Sequence, residues 1–195
     1  MRGLARDEKG AAVTALLLLL VPLLLAGIVL SVETPRFLRA ADPDVGDAVV
    51  QAVRAAAMCV DGASQANGDP RIDPDRAHEV FRRILARNLC LSEATLEPLS
   101  GSALASVPVY ELVVFNGENP FVPAGRAYPG GEHLTGNLPL AFWVGDLYVT
   151  PGGVGTEIVL DAPGCVAVVK ATVLPVFGSR GSEVVRWASA KVVRR

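Results

Sequence analysis

Hydrophobic and polar positions change their spacing twice along this chain. From Ala11 to Val32 the sequence AAVTALLLLLVPLLLAGIVLSV runs for about 22 residues without a charge. From residue 42 to about residue 89 the apolar positions return every three or four residues. Beyond Val107 they gather in short valine- and aromatic-rich runs bounded by glycine or proline. The first pattern predicts a helix that is apolar on every side, the second amphipathic helices, the third β-strands.

A helix of about 22 residues spans about 33 Å, enough for a hydrocarbon core of about 30 Å. Pro22 would cost a soluble helix a hydrogen bond, but membrane helices tolerate it. The expected organisation is therefore a charged cytoplasmic tail over 1–10, a transmembrane helix over 11–32, a connector over 33–41 and an extracytoplasmic domain over 42–195. A cleaved secretory signal is the rival reading. It would have a shorter apolar core, and its exit site here would be Val29-x-Ser31. Arg2, Arg6 and Lys9 on the tail outnumber Arg36 and Arg39 beyond the helix, and a long domain translocates largely regardless of charge. Both considerations place the N-terminus in the cytoplasm.

Two start signals introduce the amphipathic helices. Asp42-Pro43-Asp44 and Asp73-Pro74-Asp75 each put an N-cap aspartate before a proline at the first helical position, with a second carboxylate at the positive end of the dipole. The first helix is predicted from about Pro43 to Gly62, burying Val45, Ala48, Val49, Ala52, Ala56, Cys59 and Val60. The second is predicted from about Pro74 to Leu89, with Ala77, Val80, Phe81, Ile84, Leu85 and Asn88 at helical spacing. Strands are predicted over 107–115, 140–149, 156–160, 165–176 and 183–193, with a hairpin loop at 178–181. Helices followed by antiparallel strands imply an α+β fold in which the two helices cover a sheet. The stretch 116–137, rich in Pro and Gly, is expected as a long irregular loop. It is read first as a surface excursion and second as a binding lid.

Composition adds exclusions. The chain has 195 residues, a net charge of −2 and no basic stripe, so nucleic acid is not an expected partner. The three cysteines, Cys59, Cys90 and Cys165, have no CxxC or Cys/His spacing, and the histidines are His78 and His133. The cysteines read either as small buried apolar side chains or, in an oxidising compartment, as one disulfide plus one thiol. The bridge considered is Cys59–Cys90, between the two helices. Pro151 to Thr156 lacks the Gly-Lys-Ser/Thr ending of a phosphate loop and reads as a turn. His78 is expected to face solvent, and His133 has only Glu132 for company. No nucleophile with a base, no metal ligand set and no cofactor site emerges, so no enzymatic activity is expected.

Arg6-Asp7-Glu8-Lys9-Gly10, followed directly by Ala-Ala-Val-Thr-Ala and a leucine run, resembles the N-terminus of TadE/TadG-like proteins, pseudopilin-like components of tight-adherence (Flp-type) pilus systems. The resemblance covers about 30 residues. It implies a prepilin-type cut between Gly10 and Ala11. Pilin-like proteins carry a glutamate at the fifth position after the cut. That position is Ala15 here, which speaks against polymerisation as a major pilin. The resemblance implies a membrane-anchored structural or assembly subunit whose partners are the lipid bilayer, other pilus or secretion-system subunits and further copies of itself. The alternative is a membrane-anchored binding module that takes a small ligand or surface polymer through 116–137, with Arg126 or His133 as contacts.

Overall fold

The computed structural model describes residues 16–25, 27, 44–174 and 181–192. The chain divides into two units, Met1–Ala40 and Ala41–Arg195. In the first, residues 16–25 are helical and each of their side chains is exposed, including Leu18 at 72% and Leu19 at 73%. Among the described residues no helix is long and apolar enough to cross a membrane. The rest of the expected 11–32 span (11–15, 26 and 28–32), like Gly10, lies outside the described residues, apart from Gly27.

The second unit is α+β. It contains helices α1 (residues 44–57), α2 (Gly62–Ala66) and α3 (Pro74–Asn88). Among the described residues eight strands follow: β1 (Val109–Phe115), β2 (Gly125–Tyr128), β3 (Glu132–Leu134), β4 (Leu140–Val144), β5 (Val149–Thr150), β6 (Thr156–Leu160), β7 (Gly164–Val173) and β8 (Ser182–Lys191). They form an antiparallel five-stranded sheet ordered β3-β2-β1-β7-β8 and a three-stranded sheet ordered β5-β4-β6.

α3 starts where its cap signal predicts. Asp73 has extended backbone angles, its carboxylate accepts the amides of Asp75 and Arg76, and Pro74 opens the first turn. α1 ends earlier than the expected Gly62. Tight bonds from Met58 to Ala55 and from Cys59 to Ala56 close its last turn, and Val60 then pairs with Ile72. Between those paired residues Asp61 caps α2, a short helix absent from the sequence reading.

The sheet has two buried faces, because side chains alternate along each strand. Leu112 and Val114 of β1, with Cys165, Ala167 and Val169 of β7, meet Val49, Val53, Phe81 and Leu85 of the helices. Val113 and Phe115, with Val166 and Val168, meet Phe142, Val144, Ile158 and Leu160 of the small sheet. Leu112–Phe115 of β1 and Cys165–Val169 of β7 are covered on both sides, so these parts read as continuous apolar runs rather than alternating ones. The single expected sheet is thus two sheets. The expected 140–149 strand is split into β4 and β5, with Gly145 donating its amide to the Tyr148 carbonyl in the turn between them.

The segment 116–137 is not one irregular loop, and that expectation is corrected. β2 pairs with β1 from Leu112↔Tyr128 to Phe115↔Gly125, and β3 pairs with β2. Gly125 allows the pairing, because a Cβ there would sit 2.6 Å from the buried Phe115 ring and 2.9 Å from Leu134. The Gly178–Gly181 turn expected between the last two strands falls mostly outside the described residues.

Candidate functional site

The most concentrated polar chemistry in the second unit lies where α3 meets β1 and β2. Asp75 and His78 are three residues apart and so share a face of α3, while Arg126 and Tyr128 alternate onto one face of β2. Tyr110 of β1 completes the group. His78 Nε2 lies 2.7 Å from the Tyr110 hydroxyl, and the imidazole stacks on Tyr128 with centroids 4.1 Å apart and planes at 15°. The Tyr128 hydroxyl donates to Asp75 Oδ1 at 2.7 Å. One Arg126 nitrogen donates to both oxygens of the same carboxylate, at 2.7 and 2.9 Å. The Arg126 guanidinium also sits 5.4 Å from the Tyr128 ring centre.

Burial sets the protonation of this group. It pushes the Tyr110 phenol up, and with Asp75 beside it pushes the Tyr128 phenol far up, so both remain donors. Burial also pulls the His78 imidazole below its ordinary value; Arg82 and Arg126 act the same way and Asp75 opposes them. The cluster holds no thiol or aliphatic hydroxyl, and its carboxylate is engaged by Tyr128 and Arg126. Its chemistry is that of a polar tie fastening α3 to the sheet.

The tie has a pH dependence. A histidine whose folded value is depressed contributes stability that is complete above its ordinary value of 6.5 and is lost as pH falls below it. The full chain is therefore expected to melt at lower temperature at pH about 5.5 than at pH about 7.5. His78→Phe keeps a ring against Tyr128 but cannot titrate, so its melting temperature should change less over that window. Parallel curves for the two proteins would remove His78 as the source.

Several sequence expectations find different surroundings. His78 is half-buried among aromatic rings rather than facing solvent, because its neighbours come from strands far away in sequence. His133 is exposed on β3, opposite Arg126 in the β2–β3 ladder. Arg126, considered as a ligand contact, is held by Asp75. Asp75, read as a dipole partner, is also the hub of the tie. An Arg-x-Tyr alternation within a strand and an Asp-x-x-His spacing on a helix were the available signals, but nothing local pairs them.

The cysteines require a second correction. All three are free thiols. The Cys59 carbonyl accepts the amide of Asp73, the N-cap of α3, whereas Cys90 follows the C-cap residue Leu89. A helix of that length separates them by about 22 Å, against at most about 7 Å between α-carbons in a disulfide. A Cys59–Cys90 bridge does not fit this fold. Cys165 shares the helix-side core with Cys59, and burial raises both thiols.

Hollows flank these elements. One of 660 Å³ runs between the end of α1 and the end of β8, lined by Arg54, Met58, Val60, Ser189, Lys191 and Val192. A smaller one of 250 Å³ at the start of β1 is bordered by Tyr110, Glu111, Tyr128 and Glu132. There burial raises the Glu111 carboxyl, while the Val149 amide it accepts at 3.0 Å pulls the other way. Among the described residues no group of three His, Cys, Asp or Glu side chains is arranged to hold a metal ion. Compared with family models, curated proteins and solved structures, the chain matches none.

Proposed function

We propose that this chain is a membrane-anchored, pseudopilin-like assembly component of a Flp-type pilus or related secretion system. Its apolar N-terminal helix holds it in the bilayer, its α+β domain lies outside the cytoplasm, and it works through protein–protein packing. The observation that carries the reading is the leucine run. Every large apolar side chain from Leu16 to Leu25 is exposed, on all sides of the helix. A continuous apolar surface of that kind is stable only in lipid or against a like partner. The uncharged sequence continues beyond it in both directions, to about the length a bilayer requires.

The tail supplies the family reading through Arg6 to Gly10 and the leucine run that follows. The head is consistent with a packing role, since Asp75, His78, Tyr110 and Tyr128 bond to one another or to Arg126 within the domain. The alternative, a binding module acting through 116–137, is less well supported. Its residues 125–128 and 132–134 are tied into the sheet as β2 and β3, and Arg126 serves Asp75.

Intact-mass measurement of the full-length product recovered from membranes tests this reading. A chain beginning at Ala11, or one retaining Met1 and resisting carbonate extraction, is the expected result. A product beginning near Val32 and recovered without detergent would overturn the anchor.

A further inference from the structure

The outer edge of β8 differs from the other strand edges of the domain. β3 and β5 are three and two residues long and β6 is five. β8 pairs with β7 over ten residues in unbroken register and contains no proline, glycine or bulge. Among the described residues no strand pairs with its far side, where the Arg186 guanidinium donates to the Val185 carbonyl at 2.7 Å. Proteins usually protect such an edge by shortening, kinking or charging it along its length. Here the charges are Glu183 and Lys191 at the two ends and Arg186 at the centre, whose guanidinium folds onto the Val185 carbonyl.

The ladder shows which residues point outward. Residues directly opposite in an antiparallel pair alternate between exchanging both backbone bonds and exchanging neither. The Val192 amide donates to the Pro163 carbonyl, continuing the β7–β8 register by one step, so even-numbered positions of β8 turn toward β7. Thr172, opposite Glu183, gives its carbonyl to Ala105 on the other side, in agreement. The amides and carbonyls of Glu183, Val185, Trp187, Ser189 and Lys191 therefore point away from the sheet.

We infer that β8 is a self-association edge: two copies of this chain pair β8 to β8 in antiparallel fashion about a two-fold axis at Trp187. This deepens the assembly reading, on which it rests, by naming a second copy as the partner. The register that uses all five outward residues places Trp187 opposite Trp187 of the second copy, Val185 opposite Ser189, and Glu183 opposite Lys191 on both sides of the axis. It forms about ten backbone hydrogen bonds, two of which displace the Arg186 guanidinium from the Val185 carbonyl of each copy. It also covers Trp187, a large side chain left 44% exposed at the strand centre. Lys191 and Glu183 already meet Asp161 and Lys170 within the chain at 2.7 and 2.9 Å. These are exposed pairs of small energetic weight. An ammonium has three donors and a carboxylate two oxygens, so each end remains able to engage a second partner. Such an interface is isologous and closes as a dimer.

The test uses the full chain in its membrane, with the exposed Cys90 replaced by Ser. Trp187→Cys would place two thiols across the axis with α-carbons about 5.5 Å apart, within disulfide range. Oxidation with copper–phenanthroline should yield a covalent dimer. Val159→Cys, equally exposed but on β6, should not. Ser189→Pro removes only an outward amide, which the chain's own ladder does not use, and should abolish the dimer without unfolding the protein. Glu183→Lys should lower its yield about tenfold, and adding Lys191→Glu should restore it. Absence of the Trp187→Cys dimer, equal dimer from Val159→Cys, or indifference to Ser189→Pro each overturns the edge. Failure of the charge swap to restore yield overturns the register. The anchor is read separately: a chain that stays in the membrane without cross-linking refutes the edge alone, and a soluble chain refutes the anchor alone.

Discussion

Replacing Asn116 by alanine is expected to destabilise the domain by about 3–5 kcal/mol, far more than its position after a strand would suggest. Asn116 is fully buried just past the end of β1. Its carboxamide oxygen accepts the amide of Ile72 at 2.8 Å, and its nitrogen donates to the Ile72 carbonyl at 2.9 Å and the Pro123 carbonyl at 3.3 Å. The side chain thus satisfies both backbone groups of a buried residue 44 positions away, as a neighbouring strand would. Its own carbonyl accepts from Arg71. Truncation leaves the Ile72 amide and carbonyl buried without partners, at about 1–3 kcal/mol each, and opens a cavity beside them. For a chain of this size the melting temperature should fall by on the order of 10 °C. Asn67→Ala is the control: its exposed amide reaches only the Ala63 carbonyl, and its loss should cost under about 1 kcal/mol. Similar melting of the two variants would show that the carboxamide does not join these segments.

What this side chain joins was not readable from the sequence, and the reason is general to this fold. Signals carried by adjacent residues survived. Asp73-Pro74 starts α3, the valine-rich runs became β1 and β7, and Thr156–Leu160 became β6 with its expected bounds. Those patterns report local backbone preference and one-sided or two-sided burial. β2 and β3 are short, lie among glycines and prolines, and owe their extension to pairing with β1. Nothing in Gly125 to Tyr128 announces a strand without Leu112 to Phe115 beside it.

The division into two sheets was hidden for a related reason. A strand covered on both faces shows an unbroken apolar run, which says how much is buried but not by what. The β1 and β7 runs were therefore compatible with one layer of cover or two. The candidate cluster failed in the same way. His78 sits off the apolar stripe of α3 when the helix is viewed alone, and its companions Tyr110 and Tyr128 arrive from strands 32 and 50 positions away. The Cys59–Cys90 idea treated two helices as neighbours without their direction. α1 and α3 are antiparallel, as the Asn88–Gln51 hydrogen bond and the Cys59–Asp73 contact show at opposite ends.

The largest expected effect belongs to the segment whose role rests on composition. Leu18→Asp combined with Leu24→Asp places two carboxylates near the middle of the apolar stretch, in residues that are helical with exposed side chains. At the centre of a membrane helix each aspartate costs about 2.5–3.5 kcal/mol, where leucine contributes about 0.3–0.6 favourably. The pair therefore weakens insertion by about 6–8 kcal/mol. In a water-facing helix the same changes would cost only a few tenths of a kcal/mol, through helix propensity. The wild-type chain should stay in the pellet after alkaline carbonate extraction, and the double variant should leave it or be degraded. Leu18→Ala with Leu24→Ala keeps the stretch apolar and should behave as wild type. The contrast is large because lipid cannot solvate a carboxylate, whereas on a wet surface the two pairs of variants behave alike. If the aspartate variant still resists extraction, bilayer anchoring by residues 11–32 is wrong.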